Sequence, residues 1–408
     1  MSFRFEHARL ANGLTVIAEV DPSAHTAAAG YFVKTGARDE DPAVMGVSHF
    51  LEHMMFKGTA DLTADDINRA FDDLGAKNNA YTTSEMTCFY GQCLPEHLPR
   101  INEMLARMLR PALRQSDFDT EKGVILEEIA MYRDNPFWIL YEEAVQRYYG
   151  EHRLGQRVLG TPETITALAR DQMMGYFRDR YSADNTVVAL AGKLDFDAAV
   201  RQIESMCGSW ERTGALRDSA RPPAQRGDFL LRDAKVSRYY QIAIAPGPAI
   251  EDDRRYAAAL LAQIFGASDN SRLHWSIIET GIAEEAQASF DARDGTGEYL
   301  IYASGDPARA DEIWSTVQKE LDAFIDSITE DDLVRLRNKF ATAATIGGER
   351  PHDRMHRLGR LWLHLGEYKP LEQELERINA VTLNDLRSTY EAFPIRPTMV
   401  GRLMPAEG

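Results

Sequence analysis

Two segments about half a chain apart in this 408-residue sequence follow one plan. ITALARDQMMGYFRDRYSADNTVVALAG and INAVTLNDLRSTYEAFPIRPTMVGRLMP each set an Ile, an Asp and a Tyr-bearing helix ahead of a terminal strand. Such internal similarity points to two related domains, and the length allows each a core of its own. Between them RTGALRDSARPPAQRGD, residues 212–228, is polar, aperiodic and contains Pro222-Pro223, which marks a break. We expect a first domain over 1–215, a linker over 216–228 and a second domain of related fold over 229–408.

Within the first third, periods of two and of 3.6 alternate, the signature of an α+β chain. Residues 4–20 and 27–36 read as strands, with a tight turn at Asn12-Gly13. A helix is expected from Pro42 to Lys57, closed by Gly58, and another after the Thr63/Asp66 capping pair. NAYTTSEMTCFYGQCL reads as two strands around Ser84-Glu85, helices follow over 96–110 and 117–133, and TVVALAG is a buried strand. The expected fold is two related domains, each an antiparallel sheet packed against helices.

The 46 basic residues stand against 63 acidic ones, for a net charge of −17. That field repels phosphate backbones and argues against nucleic acid as a partner. No stretch of about 18 apolar residues could span a bilayer. Cys88, Cys93 and Cys207 are too few and too irregular for a disulfide framework or a four-cysteine zinc site. They read as buried thiols of a reducing compartment, and the opening residues lack the pattern of a secretory leader. A cytoplasmic location is expected.

The segment SHFLEHMMFKGT carries the chemistry. His49 and His53, four apart on a helix, stack on one face, and Glu52 borders it. Two imidazoles at this spacing can hold one zinc ion, with the carboxylate beside them as a base. The order H-x-x-E-H inverts the commoner H-E-x-x-H. Apolar neighbours Val47, Leu51, Met54, Met55 and Phe56 make the histidines partly buried groups that need partners. A third ligand is sought in DFDTEKGVILEEIAMYRDNP, where Glu121 and Glu128 share a face two turns apart and Glu127 faces elsewhere. Periodicity alone does not choose between Glu127 and Glu128. His352 and His356 are also four apart, but no glutamate lies between them, and Arg354, Arg357 and Arg360 share the helix. A second metal among arginines is electrostatically poor, so they read as structural histidines.

These segments resemble the inverted-motif zinc peptidases that include pitrilysin, insulin-degrading enzyme and the mitochondrial processing peptidase. The similarity runs through GVSHFLEHMMFKGT, NAYTTSEMT and EKGVILEEIAMYRDNP, and more loosely through LGTPETI and YSADNTVVALAG. It implies that His49, His53 and Glu128 bind Zn2+ and that Glu52 is the general base. Glu121 corresponds to an acidic residue that orients a ligand histidine. Asn79 and Ala80 fall on an edge strand where an extended peptide substrate adds.

The resemblance also shows a departure. Self-sufficient relatives carry an arginine and, seven residues on, a tyrosine in the second half; here Ile278 and Glu284 occupy those places in SRLHWSIIETGIAEEAQASF. The chain has half the size of the single-chain relatives. A heterodimer is therefore expected, in which a homologous subunit supplies the Arg and Tyr and closes a chamber around short or unfolded peptides. A homodimer would close a chamber without supplying that pair. The alternative function is a non-catalytic structural subunit of the same fold.

Overall fold

Asn12-Gly13 turns the chain between β1 (Arg4–Arg9) and β2 (Thr15–Val20), which pair antiparallel from Arg4↔Val20 to Arg9↔Thr15. The computed structural model describes residues 3–218, 220–222 and 224–406. Ser219 and Pro223 of the expected linker lie outside the described residues. The first sheet is completed by β3 (Ala27–Val33), β4 (Lys77–Thr82), β5 (Thr87–Cys93) and β6 (Thr186–Gly192), in the order β1-β2-β6-β3-β5-β4. The second contains β7 (Gly227–Asp233), β8 (Tyr239–Gly247), β9 (Glu285–Arg293), β10 (Thr296–Gly305) and β11 (Met399–Pro405), in the order β7-β11-β8-β10-β9.

Apart from β1 the two orders correspond strand for strand, so the repeated plan in the sequence is a repeated topology. Each sheet is antiparallel except at one pair, β2 with β6 and β7 with β11, which run parallel. The exception follows from connectivity. Those two strands enter and leave the sheet with the rest of the repeat between them, which gives the long crossover a parallel pair requires.

The two compact units comprise residues 1–130, 156–218 and 345–369, and residues 131–155, 219–344 and 370–408. They are not contiguous spans like 1–215 and 229–408, because each takes a helix from the other half of the sequence. Helix Pro351–Leu365 lies on β2, β3 and β6, and helix Pro136–Tyr149 lies on β8 and β11. The reason is hydrophobic. β3 and β6 are buried along their whole length, as strands of a sheet covered on both faces must be. Close approach of the covering helix depends on Gly359, where a Cβ would sit 2.2 Å from the Phe32 ring. Arg354 fixes the contact by donating to the buried Glu19 carboxylate at 2.9 Å and to the Glu19 carbonyl at 3.0 Å. In the second unit Glu298, buried, accepts from Arg293 at 2.8 Å and from the Tyr149 hydroxyl, which ties helix Pro136–Tyr149 to β10. The polar stretch after residue 212 is anchored at its start, since Arg217 pairs with the buried Asp39 at 2.6 Å. All three cysteines are buried and free.

His352 and His356 form a closed hydrogen-bonded chain. Asp353 can only accept, so His352 carries its proton on Nδ1 toward that carboxylate at 3.1 Å and accepts at Nε2 from His356 Nε2–H at 3.2 Å. His356 Nδ1 then accepts from the Tyr81 hydroxyl at 3.2 Å, and the Tyr90 and Phe32 rings pack edge-on against it. Burial pushes His356 down to about 4, with the neighbouring His352 as the second cause. The unfolded chain therefore takes up this proton first, so the stability contributed is present above about pH 6.5 and lost as pH falls toward 4. The His356→Gln variant should lose less urea resistance than the wild type between pH 7 and pH 5; equal losses would show that His356 does not drive the acid limb.

Candidate metal centre

The helix Val47–Met55 starts later than its apolar pattern suggests, because Pro42–Val44 closes as a separate 3-10 turn and Gly46 takes a left-handed φ of 95°. Gly46 offers no capping side chain. A remote carboxylate replaces it: Glu40, fully buried, accepts from Gly46 N–H and Ser48 N–H, both at 2.7 Å, one on each oxygen. Burial pushes Glu40 up to about 8. The two N–H donors act the other way but only partly offset the burial. Phe50 stacks on Phe118 of helix Gln115–Arg133, rings 4.7 Å apart, and Leu51, Met54 and Met55 enter the core. This packing sets the rotation that faces both histidines toward the second helix.

There, His49 Nε2 and His53 Nε2 lie 3.7 and 3.6 Å from the same oxygen of Glu128. Those separations are too long for hydrogen bonds. They suit three donors around one ion, since ligands roughly 2.0–2.2 Å from a tetrahedral zinc sit about 3.4 Å from one another. The His49 imidazole makes no hydrogen bond among the described residues, and its Nδ1 is buried without a partner. Its other ring nitrogen, Nε2, faces Glu128 and is the atom a metal would take. Burial, with His53 beside it, pushes His49 down to about 3, which keeps it neutral as a ligand must be. Two imidazoles and a carboxylate match the N/O donor set of zinc.

His53 is oriented from behind. Its Nδ1 lies 2.8 Å from Glu121 Oε1, and Glu121 Oε2 pairs with Lys57 Nζ at 2.5 Å. Burial pushes Glu121 up, but the bonds from His53 and Lys57 outweigh it and hold the carboxyl below its ordinary value. An ionised Glu121 fixes the His53 proton on Nδ1 and leaves Nε2 bare for a metal. Glu52, buried on the same helix, accepts from Thr82 Oγ1 at 2.6 Å. Burial raises its pKa, and Thr82 and His53 only partly offset this.

The five residues His49, Glu52, His53, Glu121 and Glu128 are thus brought together, whereas Glu127 is exposed. Asn79 and Ala80 lie on β4, an open edge of the first sheet. The Thr83 N–H bonds Met86 O at the hairpin end. By the alternation of an antiparallel pair, the amides of Tyr81 and Asn79 then face β5 and those of Thr82, Ala80 and Asn78 face outward. The Asn79 side-chain oxygen caps the outward Ala80 N–H at 2.9 Å. In the second unit Ile278 packs against the core and Glu284 pairs with Arg238. Sequence reading missed Lys57, although it stands only four residues beyond His53, just past the end of the helix, and Thr82, for which no local signal exists.

A family model described as Insulinase (Peptidase family M16) matches residues 15–162, and one described as Peptidase M16 inactive domain matches residues 167–340. The chain belongs to the M16 peptidase family. An uncharacterized zinc protease of Streptomyces coelicolor is 33% identical over 93% of the chain and 85% of its own length. Another, from Bacillus subtilis, is 30% identical over 91% of both chains. A solved protease from Helicobacter pylori shares the fold, with a TM-score of 0.92 at 19% identity, covering 99% of this chain and all of that one. Half-size M16 relatives thus carry the name zinc protease, and His49, Glu52, His53 and Glu128 all fall in the segment matched by the first model. None of the helices among the described residues is long and apolar enough to cross a membrane.

Proposed function

We propose that this M16 chain is a zinc metalloendopeptidase that cleaves short or unfolded peptides inside a chamber formed with a second subunit. The observation that carries the reading is the convergence of His49 Nε2, His53 Nε2 and Glu128 on one point with the buried Glu52 carboxylate beside them. Bound there, zinc would supply a Lewis acid for the peptide carbonyl and an acidified water. Glu52 takes the proton from the attacking water at its free carboxylate oxygen and delivers it to the leaving amine nitrogen. Its raised pKa suits a group that must both accept and return a proton near neutrality. A substrate in extended form pairs with the outward amides of β4 once Asn79 releases the Ala80 N–H. Three buried thiols fit a cytoplasmic location.

Ile278 and Glu284 provide no cationic or phenolic donor, and losing one oxyanion donor costs roughly 10²–10³ in rate. A homologous chain carrying the Arg and Tyr would restore them. The test is zinc-loaded protein on a fluorogenic peptide, alone and mixed with such a chain. Weak cleavage alone and strong cleavage in the mixture are expected; full activity from the isolated chain, unchanged by the partner, contradicts the two-chain reading.

A further inference from the structure

Glu52 has one hydrogen-bonding side chain among the described residues, and it comes from a strand rather than from the metal-facing helices. Thr82 Oγ1 donates to Glu52 Oε2 at 2.6 Å. A hydroxyl has a single proton, and a carboxylate only accepts, so the direction of the bond is fixed. It leaves Oε1 as the oxygen free for proton transfer.

The strand end that carries Thr82 is itself held. Thr83 closes the hairpin by accepting from Met86 N–H at 3.0 Å and Glu85 N–H at 3.2 Å on its hydroxyl oxygen. Glu85 accepts from Arg38 at 2.6 Å, with both side chains buried, and Thr87, opposite Thr82, donates to Thr35 O at 2.9 Å. Thr82 has two further properties at once. Its backbone N–H and C=O face the open edge of the first sheet, while its side chain turns to the face on which helix Val47–Met55 lies. One residue therefore touches both the base and the edge at which a peptide would add.

We propose that Thr82 is the positioning residue for the Glu52 base: its hydroxyl pins one carboxylate oxygen and sets the other in register with a peptide paired to β4. The inference rests on the peptidase reading for its consequence in rate, but the pinning itself is a property of the metal-free protein. Outer partners of this kind change activity by about 10–100-fold when removed. The loss should fall on kcat, because proton transfer is impaired while the edge that binds the peptide is intact.

The experiment compares Thr82→Val, which keeps the β-branched shape and removes the donor, with Thr82→Ser, which keeps the donor. Thr82→Val should lower kcat about 10–100-fold with KM within about twofold of wild type. Zinc content by mass spectrometry should stay at wild-type level, and Thr82→Ser should regain most of the rate. Crystal structures of the metal-free variants give a readout that needs no activity: the Glu52 carboxylate should leave its wild-type rotamer in Thr82→Val and keep it in Thr82→Ser. An unmoved Glu52 in Thr82→Val overturns the proposal, as does a kcat equal to wild type or a serine variant as slow as the valine. If the wild type binds zinc yet cleaves no peptide, the peptidase reading fails, and the rotamer comparison alone decides the role of Thr82.

Discussion

Glu52→Gln protein should retain its zinc and lose hydrolysis by about 10²–10⁴-fold, the usual contribution of a general acid–base group. The side chain touches the site without being one of the three converging donors, so its replacement leaves His49, His53 and Glu128 in place. Glutamine preserves the shape and can still accept from Thr82, which keeps the fold of the helix and its contact with β4. What it cannot do is take a proton. Zinc content and peptide turnover measured on one preparation separate the two effects; cleavage at the wild-type rate would remove Glu52 from the mechanism, and loss of zinc would make it a ligand.

Removing a donor should produce the opposite pattern. His49→Ala, His53→Ala and Glu128→Gln should each lose most of the bound zinc and all measurable hydrolysis, since two remaining donors hold the ion far less well than three. Glu127→Gln should behave as wild type, because its carboxylate is exposed while Glu128 lies 3.6 Å from His53 Nε2. If zinc is lost from Glu127→Gln and kept by Glu128→Gln, the site is built from the wrong glutamate. Lys57→Met should be milder, lowering zinc affinity by roughly 10–100-fold, because it acts only through Glu121 and the tautomer of His53.

The contrast between these residues also explains what a sequence of this kind discloses. His49, Glu52 and His53 are legible because four-residue spacing on a helix is a local geometric fact. Glu127 and Glu128 are not separable by period, since adjacent residues on a helix border neighbouring faces. What separates them is the rotation imposed when Phe118, Ile125 and Ile129 enter the core. The hairpin around Ser84-Glu85 is legible from strand-forming residues flanking a turn, yet the bond from Thr82 to a helix 30 residues earlier has no periodic trace. The exchanged helices were equally hidden. An amphipathic pattern tells that Pro351–Leu365 buries one face, but not that β3 and β6, apolar on both sides, are what it covers. The sequence reading starts the histidine helix at Pro42. The left-handed Gly46 breaks that run, and only Glu40 folding back to cap the new end shows why the break is stable.

The most direct measurement is a zinc titration of metal-free protein, mixed with a homologous chain of the kind proposed above, in which peptide cleavage and bound zinc are followed together. Cleavage should rise in proportion to zinc and stop rising at one ion per copy of this chain, with the Glu52→Gln protein binding the same single ion in silence. Binding of one zinc at His49, His53 and Glu128 without any peptide hydrolysis would contradict the account.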